Sequence, residues 1–139
     1  MLEARVLKFQ EWQASRDTFA KEDPLWAILT DPSKKGGRWS PEEFFQTGVD
    51  EVREIFDSAS RLKPDFGRGK VLDFGCVVGR LTQALAAEFQ EAHGVDVSPV
   101  IIGHGERLNR FPGRCHYHVN SRPEPTSTSR NRARHFFVA

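Results

Sequence analysis

The residues with chemistry to offer cluster in Lys70–Thr82, KVLDFGCVVGRLT. The apolar run Val71–Phe74 carries one acid, Asp73, and then turns through Gly75 and Gly79 into a helical pattern that starts at Arg80. A buried strand that bends through glycines into a helix is an anion-binding corner. The turn exposes backbone N–H groups, and the helix N-terminus adds a partial positive charge. A second acid, Asp96, ends the run Ala92–Asp96, 17 residues past Gly79. On a neighbouring strand end, a carboxylate at that distance can accept hydrogen bonds from both ribose hydroxyls of a nucleoside ligand. The alternative for the same residues is plain: the glycines end a strand, and Asp96 caps the helix after Ser98-Pro99.

Other reactive side chains are sparser. Cys76 lies inside the glycine turn, where a helix N-terminus can lower a thiol pKa; a small residue that merely fits the turn explains it as well. Cys76 and Cys115 form no CxxC pair and suggest no disulfide scaffold. His116-x-His118 places two imidazoles on one strand face, with His93, His104 and His135 scattered elsewhere. No Cys/His/Asp set completes a zinc site, so no metal is expected.

These residues need elements to hold them. A weak amphipathic helix is expected over Leu7–Ala20 from Phe9, Trp12, Phe19 and Ala20. Asp23-Pro24 reads as a helix start for Pro24–Thr30, stopped by Asp31-Pro32. Ser40-Pro-Glu-Glu43 is a capping box that opens a helix to about Arg61. Its apolar face is Phe44, Phe45, Val49, Val52, Ile55, Phe56 and Ala59. After the first strand, Arg80–Phe89 is helical, Ala92–Val97 is a strand, Ser98-Pro99 starts a helix to about Asn109, and Arg114–Asn120 is a third strand. Trp12, Trp26 and Trp39 all fall in the leader, where they either bury it against the sheet or form a lid over a cleft.

The fold class is therefore α/β: a partial doubly wound (Rossmann-like) parallel sheet of about three strands, preceded by a helical N-terminal segment. The expected units are a helical cap over residues 1–63, the first half of a Rossmann-like domain over 64–120, and a disordered-like basic tail over 121–139. The tail, SRPEPTSTSRNRARHFFVA, carries Arg122, Arg130, Arg132 and Arg134 against Glu124, and lacks periodicity before a short apolar end at Phe136–Val138. The whole 139-residue chain has net charge +1 and 38% apolar residues, so no acidic or basic partner is implied. No apolar run reaches the length of a membrane span, and the stretch MLEARVLKFQEW contains no apolar h-region. A cytoplasmic setting without membrane or nucleic-acid partners is expected.

VLDFGCVVGRLTQAL followed by GVDVSPVII resembles motif I and the following acid of class I S-adenosylmethionine-dependent methyltransferases, especially a bacterial subgroup with a helical N-terminal segment. DPLWAILTDPSKKGGRWSPEEFFQTG and RLNRFPGRCHYHVN extend that resemblance, which covers Asp23 to about Asn120. It implies S-adenosylmethionine as cofactor. Backbone from Gly75 through Cys76 to Gly79 would face its methionine end, with Asp73 near the amino group. Asp96 would take the ribose hydroxyls, Val97 and Ser98 would flank the adenine, and Asn120 would lie near the adenine edge. A small-molecule methyl acceptor is implied, and no catalytic residue is assigned. Two positions depart from the family pattern: Val77 stands where the middle glycine is usual, and Ser121 where the subgroup usually has an acid. Val77 predicts weak cofactor binding, because a β-branched residue tolerates φ > 0 badly.

The resemblance covers only the N-terminal half of such an enzyme, and the chain reads as a truncation or frameshift product, inactive if the missing half holds the acceptor site. Without the family's fourth strand, Val71–Phe74 is expected to present an unpaired apolar edge and to self-associate through it. Two other classes stay open. One is a nicotinamide-binding Rossmann fragment, which calls for Gly-x-Gly-x-x-Gly. The other is a non-enzymatic binding or interaction module, with the arginine tail contacting phosphates.

Overall fold

A computed structural model describes residues 2–62, 65, 67–121 and 135–138. The elements are α1 (Leu2–Glu22), α2 (Pro41–Leu62), β1 (Lys70–Phe74), α3 (Arg80–Glu88), β2 (Glu91–Asp96), α4 (Pro99–Arg107), β3 (Cys115–Val119) and β4 (His135–Val138), with one 3-10 turn at Pro32–Lys34. The sheet order is β3-β2-β1-β4. β1, β2 and β3 run parallel, with Val71 opposite Ala92 and Ala92 opposite Cys115. This is the three-stranded parallel unit that the sequence predicts.

Alternation in the strands sorts residues onto two faces. Val71, Ala92 and Cys115 face the helices and join Leu81, Ala84, Leu85, Ala86 and Phe89 of the α3 segment and Val52 of α2 in one core. α4 lies on the same side, since a Cβ on Gly105 would stand 3.2 Å from the Tyr117 ring. A second apolar cluster joins Ala20, Phe44, Phe45, Val78 and Ile101, so the leader and the α/β unit share a core. Among the described residues no helix covers the face that bears Lys70, Leu72, Phe74, Glu91, His93, Val95, His116 and His118.

α2 starts as its capping box requires: Glu43 N–H donates to Ser40 Oγ at 3.2 Å, and Ser40 N–H reaches back to Glu43 Oε2 at 3.5 Å. It meets α3 closely because position 48 is glycine; a Cβ there would sit 2.1 Å from the Arg80 carbonyl oxygen. Arg80, buried, ties the same two helices by donating to Thr47 Oγ1 at 3.2 Å and by pairing with Glu51.

The structure corrects four expectations. α1 is longer than Leu7–Ala20 and has no apolar stripe; Ala20 is its one buried side chain among those described. Pro24–Thr30 is a set of turns, not a helix. Asp23 does accept from Trp26 N–H at 3.4 Å, but its other oxygen clasps the N–H groups of Gly36 and Gly37 at 2.9 and 2.8 Å. That second pair of bonds pins the loop back on itself. The disordered-like tail over 121–139 contains β4, which pairs antiparallel with β1, Val71 opposite Val138 and Phe74 opposite His135. The edge of β1 is therefore covered rather than unpaired. The arginine cluster at 122–134 lies outside the described residues.

Candidate ligand-binding site

The corner forms where β1 runs out. Asp73 points to the helix side, is 1% exposed, and its Oδ2 accepts from Thr82 Oγ1 at 2.6 Å on the first turn of α3. This bond fixes the start of α3 against the end of β1. The chain then reverses through Gly75 (φ +79°), Val77 (φ +50°) and Gly79 (φ +84°). Three left-handed residues in five make a very tight bend, and Val77 carries the strain expected of it. Gly79 is doubly constrained: a Cβ there would fall 1.9 Å from Tyr117 Oη. That hydroxyl donates to Val78 O at 3.3 Å and accepts from Gln83 Nε2 at 3.3 Å, which ties β3 to the loop.

The expected row of exposed N–H donors is not what the loop presents. Gly75 and Cys76 N–H both donate to Val95 O, at 2.8 and 3.0 Å, and Gly79 N–H donates to Cys76 O at 2.9 Å. Val77 N–H donates to Asp96 Oδ2 at 3.1 Å. The bend is stitched to β2 by its own amides, because a buried backbone group must be satisfied. Gly75 still faces open space, with nothing within 4 Å of the place a Cβ would take.

Asp96 turns from the end of β2 back onto this bend. It is 4% exposed. Its Oδ1 accepts from Ser98 N–H at 3.1 Å; its Oδ2 accepts from Val77 N–H and, at 3.4 Å, from Arg16 Nη2 of α1. Its backbone carbonyl receives Asn120 N–H at 2.8 Å, which brings the end of β3 to the same place. Ser98 caps α4 through Ile101 N–H at 3.1 Å, so the capping role belongs to Ser98 and not to Asp96. Asp73, Gly75, Cys76, Gly79, Asp96, Val97, Ser98 and Asn120 thus gather at the C-terminal ends of the parallel strands. Of these, Gly75 is exposed, Asn120 half-buried and the others buried.

Sequence reasoning expected a helix near α1 but missed its side chains at the site. Gln13 Nε2 donates to Val97 O at 2.7 Å, Arg16 reaches Asp96, and Asp17 receives the Ser98 hydroxyl. No local pattern marks these residues, since each is an ordinary polar residue on a helix about 80 positions upstream. The concavity at the bend, lined by Asp73, Gly75, Cys76, Val77, Arg80 and Leu81, leaves essentially no room even for a water molecule. Small-molecule sites usually run to about 300–1,000 Å³.

The thiols are quiet. Burial, and then the Asp73 and Asp96 carboxylates, push Cys76 well above the usual thiol range, so Cys76 is a filler of the bend and not an activated nucleophile. Burial pushes Cys115 up to about 11. On the other side of the sheet, the His93 ring stacks on His116 and His118 with centroids 5.1 and 5.3 Å apart. His93 also meets His118 Nε2 at 3.0 Å and Glu91 at 3.1 Å. Among the described residues no group of three or more His, Cys, Asp or Glu is placed to hold a metal ion, and no helix is long and apolar enough to cross a membrane.

No family model matches the chain. Over 75 residues, 52% of its length, it is 31% identical to a protein of Geobacter sulfurreducens described as an uncharacterized RNA methyltransferase. The chain spans 15% of that relative's length.

Proposed function

We propose that this chain carries the cofactor-binding half of an S-adenosylmethionine-dependent methyltransferase. The observation that carries the reading is the Asp96 carboxylate. It sits at the end of a strand parallel to β1 and turns onto the bend, within hydrogen-bond distance of Val77 N–H. In the reading, the two oxygens of Asp96 take the ribose hydroxyls, the open side of Gly75 faces the methionine end, and Asp73 stands near its amino group. Val97, Ser98 and Asn120 border the adenine. The likeness to a methyltransferase supports the same conclusion.

Methyl transfer from a sulfonium is an in-line displacement, so the binding half contributes position and orientation rather than acid–base chemistry. The acceptor in this reading is a small molecule, and an RNA acceptor, suggested by the relative's name, is its rival. Whether methyl transfer occurs is a separate matter from cofactor capture, which the corner can be tested for alone. S-adenosylhomocysteine is expected to raise the melting temperature of the native chain, and NAD is not. Asp96→Asn is expected to reduce that stabilisation severalfold. A chain stabilised by NAD and not by S-adenosylhomocysteine would turn the reading toward a nicotinamide site.

A further inference from the structure

We propose that α1 is an internal competitor for this site, holding it closed until a ligand displaces the helix. The proposal rests on the reading of the corner as an adenosyl-ligand cradle and assigns that cradle a form of regulation.

Three side chains on one stretch of α1 take three groups at the rim. Gln13 takes the Val97 carbonyl at 2.7 Å, Arg16 takes Asp96 Oδ2 at 3.4 Å, and Asp17 takes the Ser98 hydroxyl. A carboxylate has about four acceptor positions. Val77 and Ser98 N–H fill one on each oxygen of Asp96, and the Arg16 guanidinium approaches Oδ2 as well. Ribose hydroxyls need those same lone pairs, so Arg16 and a nucleoside cannot both be served.

The contacts that hold Gln13, Arg16 and Asp17 to the rim are of one kind. Among its described side chains only Ala20, near its C-terminal end, is buried in the apolar cluster, while Gln13, Arg16 and Asp17 hold by polar bonds to the rim. Polar bonds of this kind exchange readily for ligand and water. The apparent affinity of such a site is reduced by the fraction of molecules with the helix up.

Two measurements on the full chain test this. Calorimetric titration with S-adenosylhomocysteine should show binding about tenfold tighter for Arg16→Ala and for Gln13→Ala than for the native chain, with Lys21→Ala unchanged. Amide hydrogen exchange of the native chain, which needs no variant, should become faster across residues 10–18 when the ligand is added. If all chains bind equally, or if the ligand slows exchange in α1, the helix is no competitor, although the cradle itself stands. If neither the native chain nor either variant binds S-adenosylhomocysteine, the cradle reading falls and the competitor falls with it.

Discussion

The two faces of the sheet are built on different terms. On the helix side, contacts are so close that glycine is compulsory: Gly48 against the Arg80 carbonyl, Gly79 against Tyr117, and Gly94, where a Cβ would stand 2.8 Å from Cys76 Sγ. Polar atoms there are held by buried partners, as Asp73 is by Thr82. On the other side, Lys70 pairs with Glu91 at 2.9 Å, His93 stacks between two histidines, and Phe74 is 39% exposed. Close packing there is replaced by charge and ring contacts open to solvent. One face specifies the fold by shape, and the other tolerates its surroundings.

The largest test of that contrast is Gly79→Ala. The new methyl group would need a left-handed backbone and the space of the Tyr117 hydroxyl, so a loss of about 3 kcal/mol in denaturant unfolding is expected. A loss under about 1 kcal/mol would show that the covered face yields more than its geometry says.

Val77→Gly should move stability the other way. The left-handed conformation costs an ordinary residue about 1–2 kcal/mol. Glycine's greater freedom when unfolded takes back about 0.5–1 kcal/mol. A net gain of about 0.5–1 kcal/mol is therefore expected in the same unfolding measurement. Destabilisation would mean that the valine side chain, partly buried against the second apolar cluster, contributes more than its strain costs.

The smallest effect belongs to the bare face. Burial, and then the charges of His93 and His116, hold His118 below its ordinary value of 6.5. The fold thus favours the neutral ring. Stability from this group is complete above pH 6.5 and declines as pH falls through the lower folded-state value. A shallow fall in melting temperature across that window is expected, and His118→Gln should flatten it. A fall as large as that of Gly79→Ala would erase the distinction between the faces.

Much of this was legible in the sequence, and the reasons are local. The capping box at Ser40, the apolar run of β1, the glycine bend and the acid closing β2 each declare themselves within a few residues. The strain at Val77 was legible too, because glycine spacing shows where φ > 0 is demanded. Pro24–Thr30 misled because Asp-Pro opens turns as well as helices, and here the Asp23 carboxylate binds the Gly36 and Gly37 amides. α1 lacks an apolar period, so neither its length nor its seat could be read, and Arg16 finds Asp96 only through tertiary packing. β4 hid for the opposite reason: four residues of extended chain after a polar stretch carry almost no signal until β1 offers them a partner.

That last pairing also sets an order of events. β1 finds β2 across a connection of one helix, and β2 finds β3 in the same way, whereas Val71 meets Val138 only by closing a far longer loop. Loop closure of that kind is slow relative to local assembly. During folding, then, the three parallel strands exist for a time with one side unsatisfied, and how quickly residues 135–138 arrive decides whether a molecule completes itself or meets a neighbour first.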